Sequence, residues 1–353
     1  MDGTVLVTGG AGFIGSAVVR HLIGGTGVRV VNVDALTYAA SPESLADAAT
    51  STRYDFARVD VRDGAALRDL LTRHEPRAVL HLAAETHVDR SIDGPATFLD
   101  TNVVGTLMLL EAGRDYWTGL EGAGRERFRL LHVSTDEVYG SLGPEGLFTE
   151  ASPYRPRSPY AATKAAADHL AMAWHHTFGL PVIVTNCSNN YGPYQFPEKL
   201  IPQMILSALE NRPLPIYGDG RQVRDWLHVD DHARALLAVL RHGRPGEVYN
   251  IGARGERTNL EVVEGICDVL DTLRPRKDGA SHRERMAHVT DRPGHDRRYA
   301  IDPRKVERET GWRAEVTFEE GLAATVRWYL EHEDWWSRIR SDRYRGERLG
   351  LPA

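Results

Sequence analysis

The chain has 353 residues, 42% hydrophobic and 26% charged, the balance of an ordinary globular protein with room for one large domain and a smaller one. Its net charge of −6 gives a nucleic-acid partner no electrostatic support. Two cysteines, Cys187 and Cys267, argue against a disulfide-built secreted fold and for the cytoplasm, and no apolar stretch approaches the roughly 18 residues needed to span a bilayer.

In chain order, Thr4–Thr8 reads as a first strand that runs straight into glycines, where a secretory leader would carry a basic start and a long apolar run. Val28–Val33, Ala78–Leu82 and Phe128–Val133 are further short apolar runs, and Gly64–Arg73 and Pro95–Ala112 are amphipathic segments between them. This alternation predicts βαβ units and a doubly wound parallel sheet of the Rossmann kind. A helix is expected over Pro159–Phe178 and another strand over Pro181–Asn186. From about residue 190 proline and glycine become frequent, and helices are expected again at Asn259–Leu270 and Phe318–Leu330. Residues 1–190 therefore read as a dinucleotide-binding domain, with roughly 225–255 returning to it. Residues 191–353 read mainly as a smaller α/β substrate lobe. Arg274–Arg298 is a basic stretch without periodicity and is expected to be loop.

Gly9-x-x-Gly12-x-x-Gly15 follows the first strand and opens a helix. Glycines there allow a tight turn and let backbone N–H groups approach a pyrophosphate. Asp34 ends the second strand about 20 residues on, where a carboxylate bonds the adenosine ribose and disfavours a 2′-phosphate. NAD is expected over NADP. Asp60 and Val61, after a third strand, would border the adenine.

Ser134-Thr135-Asp136-Glu137 end the strand Phe128–Val133, and Tyr160-x-x-x-Lys164 follows on one helix face. A free tyrosine has a pKa near 10, too high for a base at neutral pH, and an ammonium nearby, plus the positive nicotinamide ring, would favour its phenolate. Lys164 is one of only four lysines in an arginine-rich chain. Ser134 or Thr135 could bridge to a substrate hydroxyl. An adjacent Asp and Glu, held in different environments, can act as an acid and a base. Scattered histidines such as His81 and His87 lack metal-ligand spacing, and no metal is expected.

These motifs carry a resemblance. With Leu82-Ala83-Ala84-Glu85-Thr86-His87-Val88-Asp89, Asn186–Pro193, Phe196–Leu200, Arg224-Asp225-Trp226 and Asp291–Tyr299, the chain resembles the extended short-chain dehydrogenase/reductases and, among them, the dTDP-glucose 4,6-dehydratase family over nearly its whole length. It departs at Thr86, Ala162 and Thr163, where the family usually has serine; none of these removes a catalytic group.

The resemblance implies a hydro-lyase reaction without net redox. Tyr160 takes the C4 hydroxyl proton as NAD⁺ takes the hydride. Glu137 removes the C5 proton, Asp136 protonates the leaving C6 hydroxyl, and hydride returns to C6 with a proton returning to C5. Thr135 would hold the C4 oxygen. NAD would stay tightly bound and be recycled. The same resemblance implies cofactor contacts at Phe13, Ile14, Leu36, Thr37, Leu82, Ala83, Ala84, Thr101, Ser134, Tyr160, Lys164 and Asn190. It implies substrate contacts at Glu85, Thr135, Asn189, Lys199, Leu200, Pro215, Tyr217 and Asn259. The cationic groups a sugar-nucleotide pyrophosphate needs are expected from Arg224 and Arg292 or the Arg297-Arg298 pair, with His295 as a further donor. A homodimer is expected by analogy. A dehydratase for another nucleotide sugar differs only in the base pocket, whereas a UDP-sugar 4-epimerase has no need of Asp136 and Glu137. A non-catalytic NAD-binding regulator would need none of Tyr160, Asp136 and Glu137.

Overall fold

The computed structural model describes residues 2–344. Its strands, in chain order, are β1 (Thr4–Thr8), β2 (Arg29–Val33), β3 (Tyr54–Ala57), β4 (Ala78–His81), β5 (Arg129–Thr135), β6 (Val182–Cys187), β7 (Asn189–Tyr191), β8 (Leu214–Tyr217), β9 (Val223–His228), β10 (Val248–Ile251), β11 (Glu256–Thr258) and β12 (Met286–Val289). Seven form one sheet in the order β10-β6-β5-β4-β1-β2-β3, every pairing parallel. The central strands are apolar along almost every residue because helices cover both faces.

The longer helices are α1 (Phe13–Gly25), α2 (Gly64–His74), α3 (Gly105–Thr118), α4 (Pro159–Phe178), α5 (Leu200–Leu209), α6 (Val229–His242), α7 (Asn259–Leu273), α8 (Phe318–Glu331) and α9 (Glu333–Asp342). Helices α1 and α6 pack together on one face of the sheet, and α2, α3 and α4 on the other. Strand order reverses between β1 and β4, which opens the crevice where doubly wound sheets bind ligands. A second apolar core joins α5, α7, α8 and α9. Beside it lie a three-stranded sheet, β11-β9-β7, and a two-stranded one, β12-β8. Residues 345–353, the end of the expected second lobe, lie outside the described residues.

The strand expectations hold to within two residues at either end. Two other expectations need correction. The helix foreseen over Pro95–Ala112 is interrupted by a π-helical turn, Leu99–Val104, before α3 runs on to Thr118. That turn carries the buried Asn102, which bonds both backbone groups of Glu85 (2.8 and 3.0 Å) and the Thr163 hydroxyl (3.0 Å). Such turns recur at functional sites. Arg274–Arg298 is not all loop, because Met286–Val289 pairs in parallel with Leu214–Tyr217. A four-residue, half-buried strand leaves too short a pattern for periodicity to register.

Candidate active site

The chain leaves β1 through Gly9, whose φ is +71°. A Cβ on Gly9 would lie 2.6 Å from the Ala83 nitrogen, and one on Gly15 would lie 2.1 Å from the Gly9 carbonyl oxygen. Only hydrogen fits at either place. Gly12 caps α1 without a side-chain bond, which leaves first-turn N–H groups for an anion. Asp34 accepts from the Ala11 N–H (2.9 Å) and the Leu36 N–H (2.8 Å), so it also fixes the glycine loop. Burial raises its pKa, and these two donors oppose the rise. The loop opens on a cavity of about 380 Å³ that runs from Asp34 to Glu137.

Helix α4 carries the next groups into this cavity. Ser158 caps it by accepting from the Ala161 N–H (3.1 Å), Pro159 takes its first position, and Gly179 ends it at φ +76°. Tyr160 and Lys164 then face the sheet, both buried. Lys164 Nζ donates to the Val133 carbonyl (2.9 Å), and Tyr160 shares a hydrogen bond with Thr135. Ser134 donates its proton to Asp168 (2.8 Å). Of the two hydroxyls expected to bridge to substrate, Thr135 is therefore the one joined to the tyrosine. Lys164 is not among the main influences on the Tyr160 pKa in this arrangement. Burial, Glu137 and Cys187 hold the phenol well above its ordinary value, with the Thr135 bond opposing them. Burial likewise lowers Lys164, against the attraction of Asp168.

Beyond Thr135 the strand passes into a single 3-10 turn, Asp136–Tyr139, capped by Thr135 Oγ1 accepting from the Glu137 N–H (3.3 Å). The turn sends adjacent carboxyls into different surroundings. Asp136 is only 1% exposed, and its Oδ2 has no hydrogen-bond partner among the described residues. Burial first, then Glu137 and Asp225, push its pKa well up, against Arg224. Glu137 lines the cavity, where burial raises its pKa but Arg292, Arg224 and Lys199 all oppose. Arg224 lies over the Tyr299 ring (4.2 Å) and donates to the Asp296 carbonyl (3.0 Å). Arg292 donates to Asp89 (3.0 Å), with its Nε buried and without a partner among the described residues. Lys199 Nζ donates to the Thr86 carbonyl (2.9 Å).

A glycine cradle, the Asp34 carboxylate, a Tyr–Lys pair and two unlike carboxyls thus share one cavity. The GDP-mannose 4,6 dehydratase family model matches residues 6–325. A dTDP-glucose 4,6-dehydratase of Xanthomonas campestris is 58% identical over 98% of this chain and 99% of its own. The dTDP-glucose 4,6-dehydratase 1 of Escherichia coli is 56% identical over 96% of each. The chain belongs to the dTDP-glucose 4,6-dehydratase family. The solved structure of such a dehydratase from Streptomyces venezuelae, with NAD and TYD bound, superposes with a TM-score of 0.87 at 46% identity, covering 95% of this chain and 99% of that one.

The family's motifs converge unevenly on the cavity. Gly9, Gly12, Phe13, Ile14, Gly15, Asp34, Thr37, Asp60, Val61, Leu82, Ala83, Ala84, Thr101, Ser134, Tyr160, Lys164 and Asn190 line it, as do Glu85, Thr135, Asp136, Glu137, Asn189 and Lys199. Leu36 stands beside it with φ +56°. Arg224 and Arg292 reach Glu137 electrostatically from outside the lining. His295 bonds Asp291 (2.6 Å), and burial holds its pKa down to about 4. Leu200 opens α5 and packs on the second core. Pro215 and Tyr217 sit on β8, and Asn259 opens α7, with its N–H on the Gln222 carbonyl (2.9 Å). The Arg297-Arg298 pair is already engaged, Arg297 with Asp219 (2.9 Å) and Arg298 with Glu256 (2.7 Å). His81 bonds Thr8 and Thr106, and His87 lies by the Glu198 carbonyl.

Sequence reasoning missed Asp168, Arg62 and Gln195. Asp168 was open to discovery, since it lies four residues beyond Lys164 on the same helix face. Arg62 forms an ion pair with Asp60 (2.6 Å) at the cavity wall.

Proposed function

We propose that the chain converts dTDP-glucose to dTDP-4-keto-6-deoxyglucose, a hydro-lyase reaction in which NAD is regenerated each turn. The observation that carries this is the unlike pair in one cavity, Asp136 buried with its Oδ2 unpartnered among the described residues, Glu137 facing three cationic groups. An epimerase on the same scaffold has no use for that pair.

The cradle at Gly9–Gly15, Asp34 and Lys164 fits NAD, which when bound supplies a hydride acceptor at C4 and a hydride donor at C6. Tyr160, bonded to Thr135, takes the C4 hydroxyl proton. The C4 ketone acidifies C5–H, and Glu137 removes that proton; a proton returns to C5 when hydride is delivered to C6. Asp136, kept protonated by its dry surroundings, delivers a proton to the C6 hydroxyl, and water leaves. Arg292, Arg224 and Lys199 supply the positive charge that a sugar-nucleotide diphosphate needs near Glu137.

The same reading divides the chain at about residue 190, with roughly 225–255 returning to the cofactor domain. Its support is that β10 joins the large sheet beside β6 and α6 packs on α1. It also includes a homodimer, supported by Leu99 and Val104, 52% and 39% exposed on the turn packed against α4. A monomer mass by light scattering refutes that. Two buried, free thiols support a cytoplasmic location.

Purified protein incubated with dTDP-, UDP-, CDP- and GDP-sugars, without added reductant, tests the substrate. A 4-keto-6-deoxy product from dTDP-glucose alone is expected. A 4-epimer, or no turnover, overturns the reading, and preference for a GDP-sugar moves it to another base.

A further inference from the structure

Tyr160, Lys164 and Asp168 recur every four residues and face the sheet from one side of α4. Asp168 is only 2% exposed. Its carboxylate accepts from Ser134 Oγ (2.8 Å), from His132 Nε2 (3.0 Å) and from the Tyr154 hydroxyl. Bonding to a carboxylate puts the His132 proton on Nε2 and leaves Nδ1 an acceptor, which is buried without a partner among the described residues. Burial holds the His132 pKa well below the ordinary range, so this ring is a neutral donor. Three neutral donors therefore fix the carboxylate without cancelling its charge.

The ionisable groups facing it are Lys164 and His169 on its own helix, His132 on β5, Tyr154 before α4 and Tyr139 on the 3-10 turn. Only Lys164 is a buried cation. Its ammonium bonds the Val133 carbonyl, so the attraction of Asp168 acts through space across a dry interior.

We propose that Asp168 is a positioning residue for the Tyr160–Lys164 pair, its buried carboxylate supplying the fixed negative charge that retains the Lys164 ammonium while it orients Ser134. This deepens the dehydratase reading and rests on it. Burial raises the Asp168 pKa to about 6, with Lys164, Ser134 and Tyr154 opposing, so the charge is present at neutral pH and is lost as pH falls through that value. Loss of the anion leaves Lys164 a weaker base, so its proton departs at lower pH.

The test is Asp168→Asn in the full chain with its bound NAD. The amide can still accept from Ser134 and donate to the other His132 tautomer, so shape is kept and charge removed. Wild-type turnover of dTDP-glucose is measured first, and its absence sinks the dehydratase reading. Given wild-type turnover, kcat of the variant is expected to fall at least ~10-fold, and its alkaline limb to move down by about one pH unit. KM and NAD content should stay within about twofold, and Asp168→Glu should recover part of kcat. An alkaline limb that stays in place overturns the proposal. Should Asp168→Asn fail to fold, Tyr154→Phe removes one donor and should move the acid limb upward from about 6. An unmoved acid limb then overturns it.

Discussion

Asp136→Asn separates chemistry from folding at one atom. The substitution keeps the shape and removes the proton that the C6 oxygen must receive. General acid catalysis contributes about 10²–10⁴ in rate, or about 3–5 kcal/mol at roughly 1.4 kcal/mol per tenfold. Water loss should slow by that range. C4 oxidation uses Tyr160 and Thr135 instead and should slow by less than ~10-fold. A rapid-quench single turnover resolves the unreacted sugar nucleotide, the 4-keto sugar that keeps its C6 hydroxyl, and the 4-keto-6-deoxy product. The middle species should accumulate in the variant. Stability should move the opposite way. A carboxyl whose folded pKa is raised gives its full stability below the ordinary value near 3.8 and loses it as pH rises through the folded pKa. An amide suffers no such loss, so thermal unfolding should show the variant gaining on the wild type as pH rises from about 4 to 8. Equal slowing of both steps, or a variant less stable across that whole range, refutes the assignment of Asp136 as a neutral, buried acid.

Gly15→Ala would place a Cβ 2.1 Å from the Gly9 carbonyl, against backbone that cannot give way. It should cost about 1–3 kcal/mol and empty the cofactor site; unchanged melting temperature and unchanged NAD content refute this. Asp34→Ser removes the carboxylate held by the Ala11 and Leu36 N–H groups. On cofactor-stripped protein, calorimetry should show the NAD-to-NADP affinity ratio falling ~10-fold or more, as loss of a charged hydrogen bond implies, and a retained ratio counts against the ribose role. His232 is buried with its pKa lowered to about 3 and its Nδ1 2.9 Å from Asn190 Oδ1. Its contribution to stability is present above about 6.5 and is lost as pH falls toward 3. The urea midpoint of His232→Gln should decline less steeply with acid than that of the wild type, and parallel curves refute it.

The first half of the fold was legible because its signals are local. A parallel strand covered on both faces reads as a short apolar run, and the glycine loop and Asp34 stand at fixed spacing along the chain. The π turn at Leu99–Val104 was not legible, since it is held by Asn102 reaching Glu85 and Thr163 from 17 and 61 residues away. The short strands of the second lobe hid for the same reason. Strands β8 and β12 are four residues each and meet only in three dimensions. The charge of Arg297 and Arg298 was visible in the sequence, but Asp219 and Glu256, which occupy them, were not.

The pocket's acids also show why motif logic and geometry disagree over Tyr160. Sequence placed an ammonium four residues away and inferred, with the nicotinamide charge added, a favoured phenolate. In the folded chain burial acts on Tyr160, Asp136 and Glu137 alike and pushes all three toward their protonated forms. Their roles are then separated by where the cations lie. Three cationic groups, Arg292, Arg224 and Lys199, act on Glu137, whereas Arg224 alone of these is among the main influences on Asp136. Lys164 is spent differently, on the Val133 carbonyl and toward Asp168. A dry cavity with unevenly placed cations thus yields one carboxyl suited to give a proton and one suited to take it, from two adjacent residues on a single turn. That asymmetry is supplied by residues 199, 224 and 292, far along the chain from the pair they sort, so it could not be read from Asp136-Glu137 alone.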